Sequence, residues 1–369
     1  MGKRELIIVI AFVVVGAVAY QVTAPDPKPG ESGFSFSRIF SNIRNGIREN
    51  STKATVDLAG TIAIDSGIRE LRISTPRNVP LTVIGERRKD VGYELPVEST
   101  GPDPEAAKSY AERVTLREDP LGPVLSLTLT FPEEGTQSAK LTLRVPDDLL
   151  VRIENAGRIT VSDVAALELR NTAGETSVSG VAGAVRGSHR TGDLTIAGAQ
   201  SVDLSLATTR AKFRAIKGGL TLNLRSGECW IGESSGPIDA TLANVEFTVV
   251  GHTGGETKIG AEGGRIKVTA PADAVSIDAR RALVELEITE QAAGTTVLTT
   301  DEPIRLTLGQ QAALVLDALT TEGDIKVADV PVTPAKDGRQ VKAGATIGAG
   351  GARVVLRNAR GDIVISRRK

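Results

Sequence analysis

A chain of 369 residues has room for two or three ordinary domains or for one elongated repeat domain. Its formal net charge of −1 offers no global field to select nucleic acid, so no nucleic-acid partner is expected. Aromatic residues make up only 3% while glycines number 39, which suits a narrow aliphatic interior with many tight turns rather than a wide globular core. Cys229 stands alone, which excludes an intramolecular disulfide framework.

The chain opens on a short basic lead, Met1-Gly-Lys-Arg4, followed by an apolar run from Leu6 to Val22 that includes Ile10, Val14 and Val18. As a helix rising about 1.5 Å per residue this run reaches roughly 25 Å, near the lower limit for a bilayer. The leading positive charge puts that end in the cytoplasm. Residues 1–22 are therefore expected to be a membrane anchor with the main domain extracytoplasmic. Ala17-Val-Ala19 also fits a cleavage site, so secretion after signal removal is the alternative. Within residues 23–50, a Pro-rich spacer precedes Ser37–Arg48, where Ile39, Phe40, Ile43 and Ile47 share one helical face. That helix would either cap a β-stack or rest on lipid headgroups.

Residues 51–150 alternate in the strand manner, as in Leu71-Arg-Ile73 and Leu125-Ser-Leu-Thr-Leu-Thr130. A polar, Pro-rich insertion between Glu86 and Pro123 breaks the pattern. Within it, Asp103 followed by Pro104 predicts a brief capped helix running to Arg113.

From 151 to 369 a five-residue unit recurs: Gly, any residue, aliphatic, any residue, aliphatic. It reads Gly157-Arg-Ile-Thr-Val161, Gly192-Asp-Leu-Thr-Ile196, Gly227-Glu-Cys-Trp-Ile231, Gly264-Arg-Ile-Lys-Val268, Gly323-Asp-Ile-Lys-Val327 and Gly361-Asp-Ile-Val-Ile365. The glycines lie at multiples of about 18 residues or at half that, and the step of 59 from Gly264 to Gly323 fits three periods. Such spacing predicts an all-β fold, a right-handed single-stranded parallel β-helix (β-solenoid) with glycine at a corner of each coil. Positions three and five of the unit would point inward and position four outward. An antiparallel sandwich would not place glycine at multiples of one period.

Leu141-Thr-Leu-Arg-Val-Pro146 leading into Gly157-Arg-Ile-Thr-Val161, and the closing Leu356–Ile365, resemble the bacterial putative-adhesin family of unknown function. The resemblance covers roughly residues 51–369. It implies a parallel β-helix on an exported bacterial protein of the cell envelope, with adhesion to envelope glycans or proteins as the expected role.

No catalytic residue, metal ligand set or cofactor motif emerges. His189 and His252 both precede corners and read as corner polarity, with no ligand-spaced partner beside them. Cys229 holds an inward position and reads as an inert buried thiol. The acids at position two of the unit, Asp193, Glu228, Asp324 and Asp362, are expected to be spread along the rod, too far apart for paired acid–base work. The expected role is thus non-enzymatic, with a self-assembling structural element, or a carbohydrate-active β-helix enzyme, as alternatives. Trp230, in the outward position, could stack on a sugar or pack on a protein unless a loop such as 330–350 covers it. Lys258 and Lys267 are expected to flank it in neighbouring units.

Overall fold

Period-two alternation sends one set of side chains to the core and the other to solvent, and here the same alternation is stacked coil upon coil. The computed structural model describes residues 52–75, 78–155 and 157–368. Among them, 24 strands belong to one continuous hydrogen-bonded sheet. The N-terminal part contains β1 (Thr52–Ala63), β2 (Glu70–Ser74), β3 (Leu81–Glu86), β4 (Asp90–Gly101), helix α1 (Pro104–Glu112), β5 (Thr115–Leu121) and β6 (Val124–Thr130). It continues through β7 (Thr136–Ala139), β8 (Leu141–Pro146), β9 (Leu150–Glu154) and β10 (Ile159–Ser162). The middle consists of β11 (Ala166–Ala173), β12 (Thr176–Arg214), β13 (Leu220–Gly232), β14 (Ile238–Val250), β15 (Thr257–Thr269) and β16 (Val275–Ile288). Then follow β17 (Thr295–Thr299), β18 (Ile304–Leu308), β19 (Leu314–Thr320), β20 (Ile325–Ala328), β21 (Ala335–Asp337), β22 (Gln340–Ile347), β23 (Arg353–Asn358) and β24 (Ile363–Arg367).

From β12 to β16 each strand pairs in parallel with the next. Leu220 lies beside Ile238, Ile238 beside Thr257 and Thr257 beside Val275, steps of 18, 19 and 18 residues. Each coil lays down two straight stretches. On the first face Leu204, Leu222, Ala240, Ile259 and Ile277 form an inward ladder; on the second, Phe213, Ile231, Val249, Val268 and Leu286 do. All ten are buried. At about 1.5–3 kcal/mol for each large aliphatic or aromatic side chain, these ladders are the main source of cohesion. The arrangement is that of a β-solenoid.

The corners obey a backbone rule. Entering the second face, Gly174, Gly192, Gly227 and Gly264 adopt φ between 91° and 115°. A Cβ on Gly192 would stand 2.2 Å from the carbonyl oxygen of Gly174 in the coil below, so only glycine fits. Where Val245 and Ala282 replace the glycine, the preceding residues Asn244 and Arg281 take the left-handed conformation instead, at φ 56° and 53°.

At both ends the order of coils departs from the order of the chain. The coil of β2 and β3 lies between β6/β8 on one side and β9/β10 on the other. Correspondingly, β23 and β24 lie between β17/β18 and β19/β20. Gly323 is therefore not three sequential periods beyond Gly264, and Leu356–Ile365 is an interior coil rather than the closing one. The outermost strands are covered by antiparallel neighbours: β5 on β6, β4 on β8, β1 on β4, and β22 on β19. Antiparallel pairing needs only a short connection and blunts edges that a parallel stack would leave open. The predicted helix is present as α1: the Asp103 side chain accepts from the Ala106 N–H at 2.8 Å, Pro104 opens the first turn, and Ala107 and Ala111 are buried.

The expected anchor (Leu6, Ile10, Val14, Val18) and the amphipathic segment Ser37–Arg48 lie outside the described residues. Among the described residues no helix is long and apolar enough to cross a membrane. The expectation of a membrane-anchored localisation is corrected accordingly: α1 has nine residues, and the apolar side chains sit at alternate strand positions facing the stack interior.

Candidate functional site

The second face of β12–β14 carries a shallow depression of about 600 Å³ whose lining includes Trp230, Thr195, Lys212, Glu228, Glu246 and Thr248. Parallel register sets its layout. Lys212, Trp230, Thr248 and Lys267 are successive neighbours across four strands, and Arg210, Glu228, Glu246 and Arg265 form the next outward column. Between the columns Cys229 and Phe247 point inward and are buried. Burial pushes the Cys229 thiol well above its ordinary range, so it stays protonated and inert.

Trp230 is half-buried. Its ring lies across Gly232, where an added Cβ would meet ring carbons at 2.0 Å, so glycine there makes room for the indole. The Arg214 guanidinium sits over the ring with its central carbon 5.0 Å from the centroid, a cation–π contact that fixes the ring's pose. The 330–350 segment does not contribute to this depression.

Charge on the floor is uneven. Asp193 is held by Arg210 at 2.8 Å, and Glu175 by Arg158 at 2.7 Å. Glu228 and Glu246 face each other in register, and among the described residues neither makes an ion pair. Like charges directly across a ladder are unfavourable, and Arg210 and Arg265, on the outer sides of the pair in the same column, offset part of that cost. What the two carboxylates offer outward is hydrogen-bond acceptance beside an aromatic platform.

Lys267 shares the Trp230 column, separated from it by Thr248, whereas Lys258 does not: it is in register with Asp239 and Thr221 on the first face and pairs with Glu256 at 3.0 Å. A position within the strand fixes inward or outward, but the face depends on which side of the corner the residue lies. Of the spread acids, Asp193 and Glu228 meet in the depression, while Asp324 and Asp362 meet in the C-terminal coils. There the Asp324 N–H donates to Asp362 Oδ1 at 2.9 Å. The hydrogen bond from Lys326 lowers the Asp362 carboxyl. Glu246 and Thr248 escape the motif because Val245 stands where the unit has glycine.

His189 is buried with Nδ1 2.9 Å from Thr172 Oγ1, and His252 is buried with its ring nitrogens 3.0 and 3.2 Å from the Ser234 and Gly255 carbonyls. Both are packed into the stack. Among the described residues no group of three or more His, Cys, Asp or Glu side chains is placed to hold a metal.

No family model and no curated protein matches this chain. Among solved structures it is similar to a putative cell adhesion protein from Clostridium sporogenes (9% identity, 85% of this chain and 100% of the other, TM-score 0.21). It is also similar to putative adhesins from Parabacteroides distasonis (10% identity, 85% and 97%, TM-score 0.28) and Parabacteroides merdae (12% identity, 85% and 96%, TM-score 0.26). At these values the likeness carries no function across to this chain.

Proposed function

We propose that this protein is a non-catalytic, adhesin-like binding scaffold. In this reading it is a right-handed single-stranded parallel β-solenoid that offers the second face around Trp230 to a glycan chain. The observation that carries the reading is the depression in which one indole lies beside two registered, unpaired carboxylates. A sugar ring presents a C–H face to an indole and hydroxyl donors to carboxylates, and an extended chain of such rings matches a flat, periodic floor. Other potentially reactive groups are committed elsewhere, which leaves Glu228 and Glu246 as the acceptors that the depression offers. Cys229 is buried and protonated, the His252 ring is occupied by backbone carbonyls, and Asp193 is held by Arg210.

Stacking of copies through open coil ends finds less support, because antiparallel strands cover β6, β8 and β19 in the outermost coils. The glycan reading is tested by electrophoresis through gels containing neutral, amino-bearing or acidic polysaccharides. Retardation by a glycan, abolished in Trp230→Ala, is expected. Equal mobility of both proteins in every gel would remove glycan binding at this face and leave a protein ligand as the alternative.

A further inference from the structure

Several strand edges remain unpaired among the described residues, and all but one are short or blocked. The edge of β5 carries Arg117-Glu-Asp-Pro120, and β7, β20 and β21 have only four, four and three residues. Charge, proline and shortness are the usual protections of an edge. β1 is neither short nor interrupted by proline, and its only charges are Lys53 and Asp57, of opposite sign. It runs 12 residues, Thr52-Lys-Ala-Thr-Val-Asp-Leu-Ala-Gly-Thr-Ile-Ala63, pairs with β4 on one side, and has no strand on the other among the described residues. Its outward side chains are Lys53, Thr55, Asp57, Ala59, Thr61 and Ala63, all exposed, while Val56 and Leu58 are only partly buried against the core.

We propose that β1 pairs with β1 of a second copy, antiparallel about a twofold axis at Thr55. In this register Lys53 of each chain lies opposite Asp57 of the other, so both charges of the strand are matched twice. Centring the axis on Asp57 or Lys53 would instead set like charges face to face. Asp57 makes no ion pair among the described residues; Lys53 is 2.6 Å from Glu98 and would sit between two carboxylates. An isologous contact of this kind closes on itself, joining two sheets edge to edge without seeding a filament. This inference does not depend on the glycan reading.

The test uses the full chain. With Thr55→Cys, residue 55 would face its own copy at a Cα separation of about 4.5–5.5 Å, inside the range a disulfide accepts. The buried Cys229 does not compete. Under mild oxidation Thr55→Cys is expected to convert to a species of twice the chain mass, whereas Ala59→Cys is not. Thr55→Lys, at an exposed position, is expected to raise the dimer dissociation constant at least about tenfold with unchanged thermal unfolding. A wild-type chain that stays at single-chain mass at high concentration overturns the proposal. So does equal cross-linking at residues 55 and 59, or a Thr55→Cys dimer whose introduced thiol stays free to thiol reagents.

Discussion

At the scale of single residues the solenoid is decided at its corners. Gly192 combines φ 112° with a carbonyl 2.2 Å from where a Cβ would be, so Gly192→Ala should lower unfolding free energy by about 2 kcal/mol or more. Ala215 presents the opposite case: it is exposed and left-handed at φ 51°, and Ala215→Gly should stabilise by about 1 kcal/mol. Urea unfolding of both variants checks the pair; the same sign for both would contradict this account of the corners. The glycines are legible in the sequence because glycine alone tolerates those angles. The corner at Asn244 is not, since a left-handed asparagine leaves no periodic letter, and Glu246 is hidden with it. His189 supplies a pH dependence. Burial lowers its pKa from the ordinary 6.5, with the Gly174 backbone and Asp193 opposing incompletely. Its neutral form therefore contributes stability that is complete above about pH 6.5 and is lost as pH falls through the lower folded value. Unfolding midpoints at pH 7.5 and 5.5 should differ more in the wild type than in His189→Gln.

At the scale of elements, the inward ladders explain why the repeat is readable and the coil order is not. Every coil offers nearly the same aliphatic pattern to its neighbours, so the sequence specifies inward and outward without specifying which coil lies next. Position five of the unit shows the consequence at the end of the stack, where Val327 on β20 is only half-buried while Ile365 on β24 is fully buried. The β23–β24 coil is an interior layer although it is the last in the chain. Deleting residues 351–369 should therefore expose 314–328 as well as remove the deleted coil. Hydrogen exchange should lose protection in β20, which pairs with β24, while β19 keeps its antiparallel partner β22. Retained protection in β20 would mean that it pairs directly with β18. Asp317, lowered chiefly by the hydrogen bond from Arg357 and aided by Arg353, ties β19 to β23 and should lose that tie in the same deletion.

At the scale of the whole molecule, the parallel stack turns a local sequence choice into a surface. Lys212, Trp230, Thr248 and Lys267 come from four coils, each 18 or 19 residues after the last, yet adjoin one another because register is kept. The outward position of Trp230 is readable from its place in the unit; the face of Lys258 is not, because periodicity alone does not distinguish the two faces. At the ends of the stack antiparallel strands cover β6, β8 and β19, and the edges left among the described residues are short or charged apart from β1, which favours a discrete unit that displays its faces over an open-ended polymer. The glycan proposal places a sugar against the indole of the second face, and the protein holds a single tryptophan, so its tryptophan emission, excited beyond the tyrosine band, reports on that site alone. The most direct measurement is titration of the full chain with oligosaccharides while following this emission. Binding at the indole should give a saturable change with at least one glycan, weakened at least about tenfold when Glu228 and Glu246 are both replaced by glutamine. Emission that stays constant through the whole panel, or a response indifferent to those two carboxylates, would contradict it.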